Sequence, residues 1–131
     1  MTSGHTAIVT GANHGIGAAT ARALARQGCA VVCAYFRVVD RVDPGTPQAY
    51  RDSRASNAGS ILGDVISAGG RAIALEADLS DPATPASLFD VAERHLGPVD
   101  ILVNNATGWL ADSFAAAQAD RLGRSLEPVT A

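Results

Sequence analysis

The sequence contains no lysine: all ten basic residues of the 131 are arginines. A Walker-type phosphate loop ends in Gly-Lys-Ser/Thr, so that loop is excluded. Aromatics make up only 5% of the chain, and alanine, valine and leucine must fill whatever core the 47% apolar residues build. A basic excess is missing too. With a net charge of -3, a nucleic-acid-binding surface is not indicated, and any anion must be met by a few placed arginines or by backbone. There are two cysteines, Cys29 and Cys33. Four residues apart along one strand they are about 13 Å from each other, too far to bridge. They read as small buried hydrophobes in a reducing compartment. The N-terminus has no basic-then-apolar signal segment, and no apolar run approaches the roughly 20 residues a membrane span needs. The expectation is a soluble, cytoplasmic protein with no membrane partner, of single-domain length.

What is present is a regular alternation. His5–Thr10 is a short strand-like run ending at glycines. Apolar and small residues then recur at Ile16, Ala19, Ala23 and Leu24, a helical stripe that Gly28 closes. Ala30–Tyr35 is nearly all apolar, as a strand covered on both faces must be. Residues 36–54 hold Pro44, Gly45, Pro47 and mixed charges, and read as an inserted loop. Ile61, Leu62, Val65 and Ile66 mark a second helix stopped by Gly69-Gly70. Arg71–Asp78 is a third strand, and Ser80 or Asp81 with Pro82 opens a third helix. Leu88, Phe89, Val91, Ala92 and Leu96 form its apolar face, and Gly97-Pro98 ends it. Asp100–Ala106 is a fourth strand, and residues 108–131 read as an irregular tail. The order β-α-β-α-β-α-β predicts an α/β fold, a doubly wound parallel sheet with helices on both faces.

The stretch Thr10 to Gly17, TGANHGIG, links the first strand to the first helix. Gly11 permits a tight turn, Gly15 lets backbone approach a pyrophosphate, and Gly17 lets the helix pack closely. Unpaired N–H groups near Gly15 and Ile16, with the helix dipole, meet a diphosphate without any lysine. The alternative is a plain glycine-rich turn; the strand–turn–helix context favours the cradle.

These eight residues resemble the TGxxxGIG signature of the short-chain dehydrogenase/reductase family. Ala77–Asp81 (ADLSD) resembles the family's segment after the third strand, and Asp100–Ala106 (DILVNNA) is similar to its NNAG strand. The resemblance covers nearly the whole chain. It implies a partial NAD(P)-binding Rossmann domain over 1–131, with four strands of about seven. It implies that Gly11, Asn13, His14, Gly15, Ile16 and Gly17 surround the cofactor. Asp78 would accept from the adenine amino group, or cap the strand end; Leu79 would present backbone to the ring. Asn104 would tie the central strands, and Asn105 and Ala106 would border the adenosine ribose. Thr107 departs from the family's glycine, with Gly108 one place later.

Relatives that prefer NAD carry an acidic residue at the end of the second strand. Tyr35 stands there, Arg37 lies two residues on, and His14 sits where NADP-preferring relatives often carry a basic residue. NADP is therefore expected, with NAD possible. Arg37 as a solvated loop arginine is the alternative. The inserted loop, with Arg41, Arg51 and Arg54, would hang beside the adenosine end as a clamp on the 2′-phosphate or as a mobile ornament.

Family chemistry needs a serine and a Tyr-x-x-x-Lys. Only Tyr35 and Tyr50 occur. Tyr50–Arg54 (YRDSR) has the spacing, but arginine shuttles no proton. The sequence thus looks like the first half of a reductase resembling the 3-oxoacyl-carrier-protein reductases, inactive by itself. The full-length protein would be a homo-oligomer moving hydride between NADPH and a small carbonyl or alcohol, with Trp109 and the tail as one substrate wall. A non-catalytic dinucleotide-binding or regulatory module is the alternative. A methyltransferase-like domain would want an acidic residue where Tyr35 stands. No metal site is expected.

Overall fold

A computed structural model of the chain describes residues 4–108, 112–113 and 119–128. Its sheet has four parallel strands: β1 (Thr6–Thr10), β2 (Ala30–Tyr35), β3 (Ala72–Glu76) and β4 (Val99–Val103), ordered β3-β2-β1-β4. The two central strands are the ones with unbroken runs of small and β-branched residues. All of β1 is buried, and so is β2 except the half-buried Tyr35. Strands with that composition fit only where helices cover both faces.

The alternation of side chains divides the core in two. Val9, Val31 and Cys33 face α1 (Gly15–Arg26) and α3 (Gly59–Ser67), packing with Ala18, Ala21, Ile61 and Val65. Ile8, Val32 and Ala34 face α4 (Thr84–His95) through Leu88 and Ala92. The α/β doubly wound architecture is therefore present. An ion pair between Arg22 and Asp64 at 2.7 Å joins α1 to α3. At the start of the sheet, Asp100 on β4 accepts from the Thr6 N–H at 3.2 Å and lies 3.0 Å from His5 Nδ1, which holds its carboxyl below the usual carboxylate range.

Several boundaries differ from the sequence reading. The 36–54 segment is not all loop: α2 (Gln48–Arg54) occupies its end. Pro47, read as a breaker, instead starts the helix, where a missing N–H costs nothing, and Gln48 donates to Asp52 one turn on at 2.6 Å. In α1, Ile16 is 77% exposed and the buried face is Gly17, Ala18 and Ala21. In α3 only Ile61 and Val65 are buried, and Ile66 faces solvent. Helix α4 begins at Thr84 rather than at Ser80 or Asp81, because those residues are spent on turns. Ser80 N–H donates to Asp78 Oδ1 and Ala83 N–H to Asp81 Oδ1, both at 2.9 Å. The tail is not wholly irregular: β5 (Asp112–Ser113) and β6 (Glu127–Pro128) pair in parallel, and Ala119 bridges Ser125. Trp109 lies outside the described residues. No described helix is long and apolar enough to cross a membrane.

Candidate functional site

The carboxyl ends of β1, β2 and β3 open into a groove of about 560 Å³. Open α/β sheets bind ligands on this side. A second hollow of about 600 Å³ lies between α1 and α3 and is lined by Arg22, Arg26, Asp64 and Arg71. It adjoins the carbonyl ends of both helices, the wrong end of the dipole for a phosphate. Two of its arginines are also engaged, Arg22 with Asp64 and Arg71 with the Leu96 carbonyl.

The groove's floor is the turn from β1 to α1. Gly11 has φ +63° and Gly15 φ +56°, left-handed backbone that glycine adopts without penalty. A Cβ built on Gly15 meets nothing within 4 Å, whereas one on Gly17 would collide with the Gly11 carbonyl and with Asn105 Nδ2. Gly17 is thus a packing glycine, and Gly15 faces open space. His14 precedes α1 in extended backbone with no side-chain cap, and the first turn holds no acidic residue. The helix-start N–H groups at Gly15, Ile16 and Gly17 therefore have no intrahelical acceptor. An uncapped helix start and a glycine with open space above it fit a diphosphate.

A hydrogen-bond knot fixes this turn to β4. Thr10 Oγ1 donates to the Val103 carbonyl at 3.2 Å and accepts from the N–H groups of Asn105 and Ala106, each at 3.0 Å. Asn105 Nδ2 donates to the carbonyls of Thr10 (3.1 Å) and Gly11 (3.3 Å). The tie expected of Asn104 runs through Asn105, which also lines the groove beside Ala106 and Thr107.

Asp78 and Leu79 form the opposite wall. Asp78 Oδ1 accepts from both the backbone and the hydroxyl of Ser80, which lowers its carboxyl's pKa. It caps the strand end with one oxygen; among the described residues its other oxygen takes no hydrogen bond. Asp78 is thus an anion and an acceptor at the groove wall.

The sequence candidates beyond β2 separate. Tyr35 lines the groove. Arg37 does not; its guanidinium holds Glu76 on β3 through Nε at 3.0 Å and Nη2 at 2.9 Å. The segment beyond it folds back. Asn13, buried in the glycine turn, donates to the Ser56 carbonyl at 2.9 Å, and Val38 N–H donates to the Arg54 carbonyl at 3.0 Å. These ties carry Tyr50 and Arg54 of α2 to the groove rim. The Tyr50 ring meets His14 edge-on at 6.2 Å, and the Arg54 guanidinium lies 5.8 Å from the Tyr50 centroid. Burial and, secondarily, the Arg54 charge lower the His14 pKa. In sequence Tyr50 was visible only as a loop tyrosine, and Arg54 as one of three loop arginines offered as a clamp or an ornament. Pro47 ahead of Gln48 was the signal that a helix presents them.

The parallel sheet, the covering helices and the glycine turn opening α1 define a Rossmann-type α/β domain. The chain belongs to the short chain dehydrogenase family, whose model matches residues 5–127. It is 38% identical over 103 residues to an uncharacterized oxidoreductase of Methylorubrum extorquens, covering 79% of this chain and 35% of that protein. A 3-oxoacyl (acyl-carrier-protein) reductase from Agrobacterium tumefaciens, solved with NADP bound, superposes with a TM-score of 0.65 at 32% identity, over 88% of this chain and 38% of that one. A blue fluorescent protein from a metagenomic library, solved with NADPH, superposes at 0.67 with 33% identity, over 88% and 41%. The chain spans about a third of the length of the curated relatives it matches.

Proposed function

We propose that this chain is the dinucleotide-binding part of an NADP-dependent oxidoreductase acting between a small carbonyl and its alcohol. The observation that carries the reading is the cradle: an uncapped helix start over which Gly15 leaves open space. Bound NADPH supplies the hydride. The chain's own residues bind and orient: the first N–H groups of α1 meet the pyrophosphate, Asp78 accepts from the adenine amino group, Leu79 presents backbone to the ring, and Asn105 and Ala106 border the ribose. Substrate choice and a homo-oligomeric assembly belong to the full-length protein. Both cysteines are buried, and burial pushes the Cys33 thiol up to about 11, so Cys33 stays a protonated, unreactive thiol. That chemistry suits the cytoplasm.

Gly15→Val tests the cradle. The branched side chain would occupy the pyrophosphate's place, and calorimetric titration is expected to find NADPH binding abolished. Unchanged affinity would remove the reading. A second reading is binding without turnover, and the absence of lysine favours it for these 131 residues, since no tyrosine–lysine pair exists to move the substrate's proton. Purified chain is expected to bind NADPH and to reduce no carbonyl.

A further inference from the structure

We propose that Arg54, delivered by the inserted helix α2, is the group that selects NADPH through its 2′-phosphate, with Tyr50 positioning it and Asp40 holding it until the phosphate arrives. The inference rests on the dinucleotide reading and deepens it. Of the two arginines flanking the segment, Arg37 is held in a two-pronged contact with Glu76 and does not line the groove, whereas Arg54 does. Arg54 is also the better buried of the two: its side chain is 18% exposed against 54% for Arg37. A phosphate contact made there is less screened by water.

The bond that holds Arg54 now is an imperfect one. Its Nε lies 2.8 Å from Asp40 Oδ2, yet both atoms are buried and neither makes a hydrogen bond, so the contact is of charges with the N–H aimed elsewhere. Buried polar groups left in that condition are costly, and a guanidinium matches a phosphate's oxygens with its planar fork of donors. The Tyr50 ring sits between Arg54 and His14, in ring contact with both. Tyr50 and Arg54 line the same groove as Tyr35, and the end of β2, where Tyr35 stands, is where the adenosine ribose lies in the dinucleotide reading. The segment is anchored at both ends, by Val38 to the Arg54 carbonyl and by Asn13 to the Ser56 carbonyl, so Arg54 is held at the rim by the fold.

The test uses the whole chain and two probes that need no catalysis, adenosine 2′,5′-bisphosphate and 5′-AMP, titrated calorimetrically. Arg54→Ala is expected to weaken the bisphosphate roughly tenfold to a hundredfold, the range for a charge-assisted hydrogen bond, and to leave 5′-AMP within about twofold. Arg37→Ala is expected to change neither. Asp40→Asn removes the competing carboxylate and should tighten the bisphosphate several-fold, a gain that damage to the fold cannot mimic. Retained discrimination in Arg54→Ala, with loss in Arg37→Ala, would overturn the proposal and leave the dinucleotide reading intact. Failure of the unsubstituted chain to bind either nucleotide would sink both. If circular dichroism finds Arg54→Ala unfolded, Asp40→Asn decides: tighter bisphosphate binding supports the assignment, and equal or weaker binding overturns it.

Discussion

Gly15 and Gly17 are two residues apart and fail for different reasons. Gly17 is pressed on the Gly11 carbonyl and the Asn105 amide, both parts of the knot that joins β1 to β4. Gly17→Ala is therefore a packing lesion. Overfilling a tight contact costs about 1–3 kcal/mol, and a helix start pushed off the sheet should lower the urea midpoint accordingly. An unchanged midpoint would mean that α1 can move away freely. His14 carries a pH dependence. Its folded pKa lies below its unfolded value because burial and Arg54 disfavour the charged ring. Above pH 6.5 the ring is neutral in both states and contributes nothing. As the pH falls from there through the folded pKa, the unfolded chain takes the proton first and stability is lost. Between pH 7 and pH 5 the natural chain should lose more stability in denaturant titrations than His14→Gln. Equal slopes would contradict the shift.

Helix α2 is an element held by its neighbours. Its seven residues bury no side chain, and isolated helices of that length are not stable. Its attachment through Asn13 is correspondingly important. Asn13→Ala leaves the Ser56 carbonyl without its partner, at a cost of about 1–3 kcal/mol, and should release the segment. Limited trypsin digestion would then cut sooner at Arg41 and Arg51, and an unaltered rate would show that the segment is held otherwise. This element also marks the limit of legibility. The strands and the three long helices could be read because burial imposes periodicity: Val31 to Ala34 are all apolar, and Leu88 and Ala92 recur on one face. The glycine turn could be read because backbone conformation restricts it to few residue types. Helix α2 has no apolar face, and what fixes it are bonds between residues far apart in the chain, Asn13 to Ser56 and Val38 to Arg54, for which sequence spacing carries no signal. Likewise the sequence offers four arginines in the segment after β2, Arg37, Arg41, Arg51 and Arg54; only the Glu76 contact shows that Arg37 is already occupied.

At the scale of the molecule the described sheet ends in two edge strands, β3 and β4. Among the described residues strand β4 pairs with β1 alone, and it carries Leu102, 48% exposed. An apolar strand with unpaired backbone groups invites another strand. The 131-residue chain is expected to self-associate in sedimentation velocity, and Leu102→Lys, placing a charge on that edge, should shift it toward monomer. An unchanged distribution would remove β4 as the contact. The order β3-β2-β1-β4 has a further consequence for synthesis on the ribosome. β1 emerges first and finds β2 soon after, but its other neighbour begins at Val99, beyond both the inserted segment and β3. At about 5–20 residues per second, the most buried strand of the protein waits several seconds with one flank open. The nascent chain must carry its own future centre, half wrapped, until Val99 and the rest of β4 have been added.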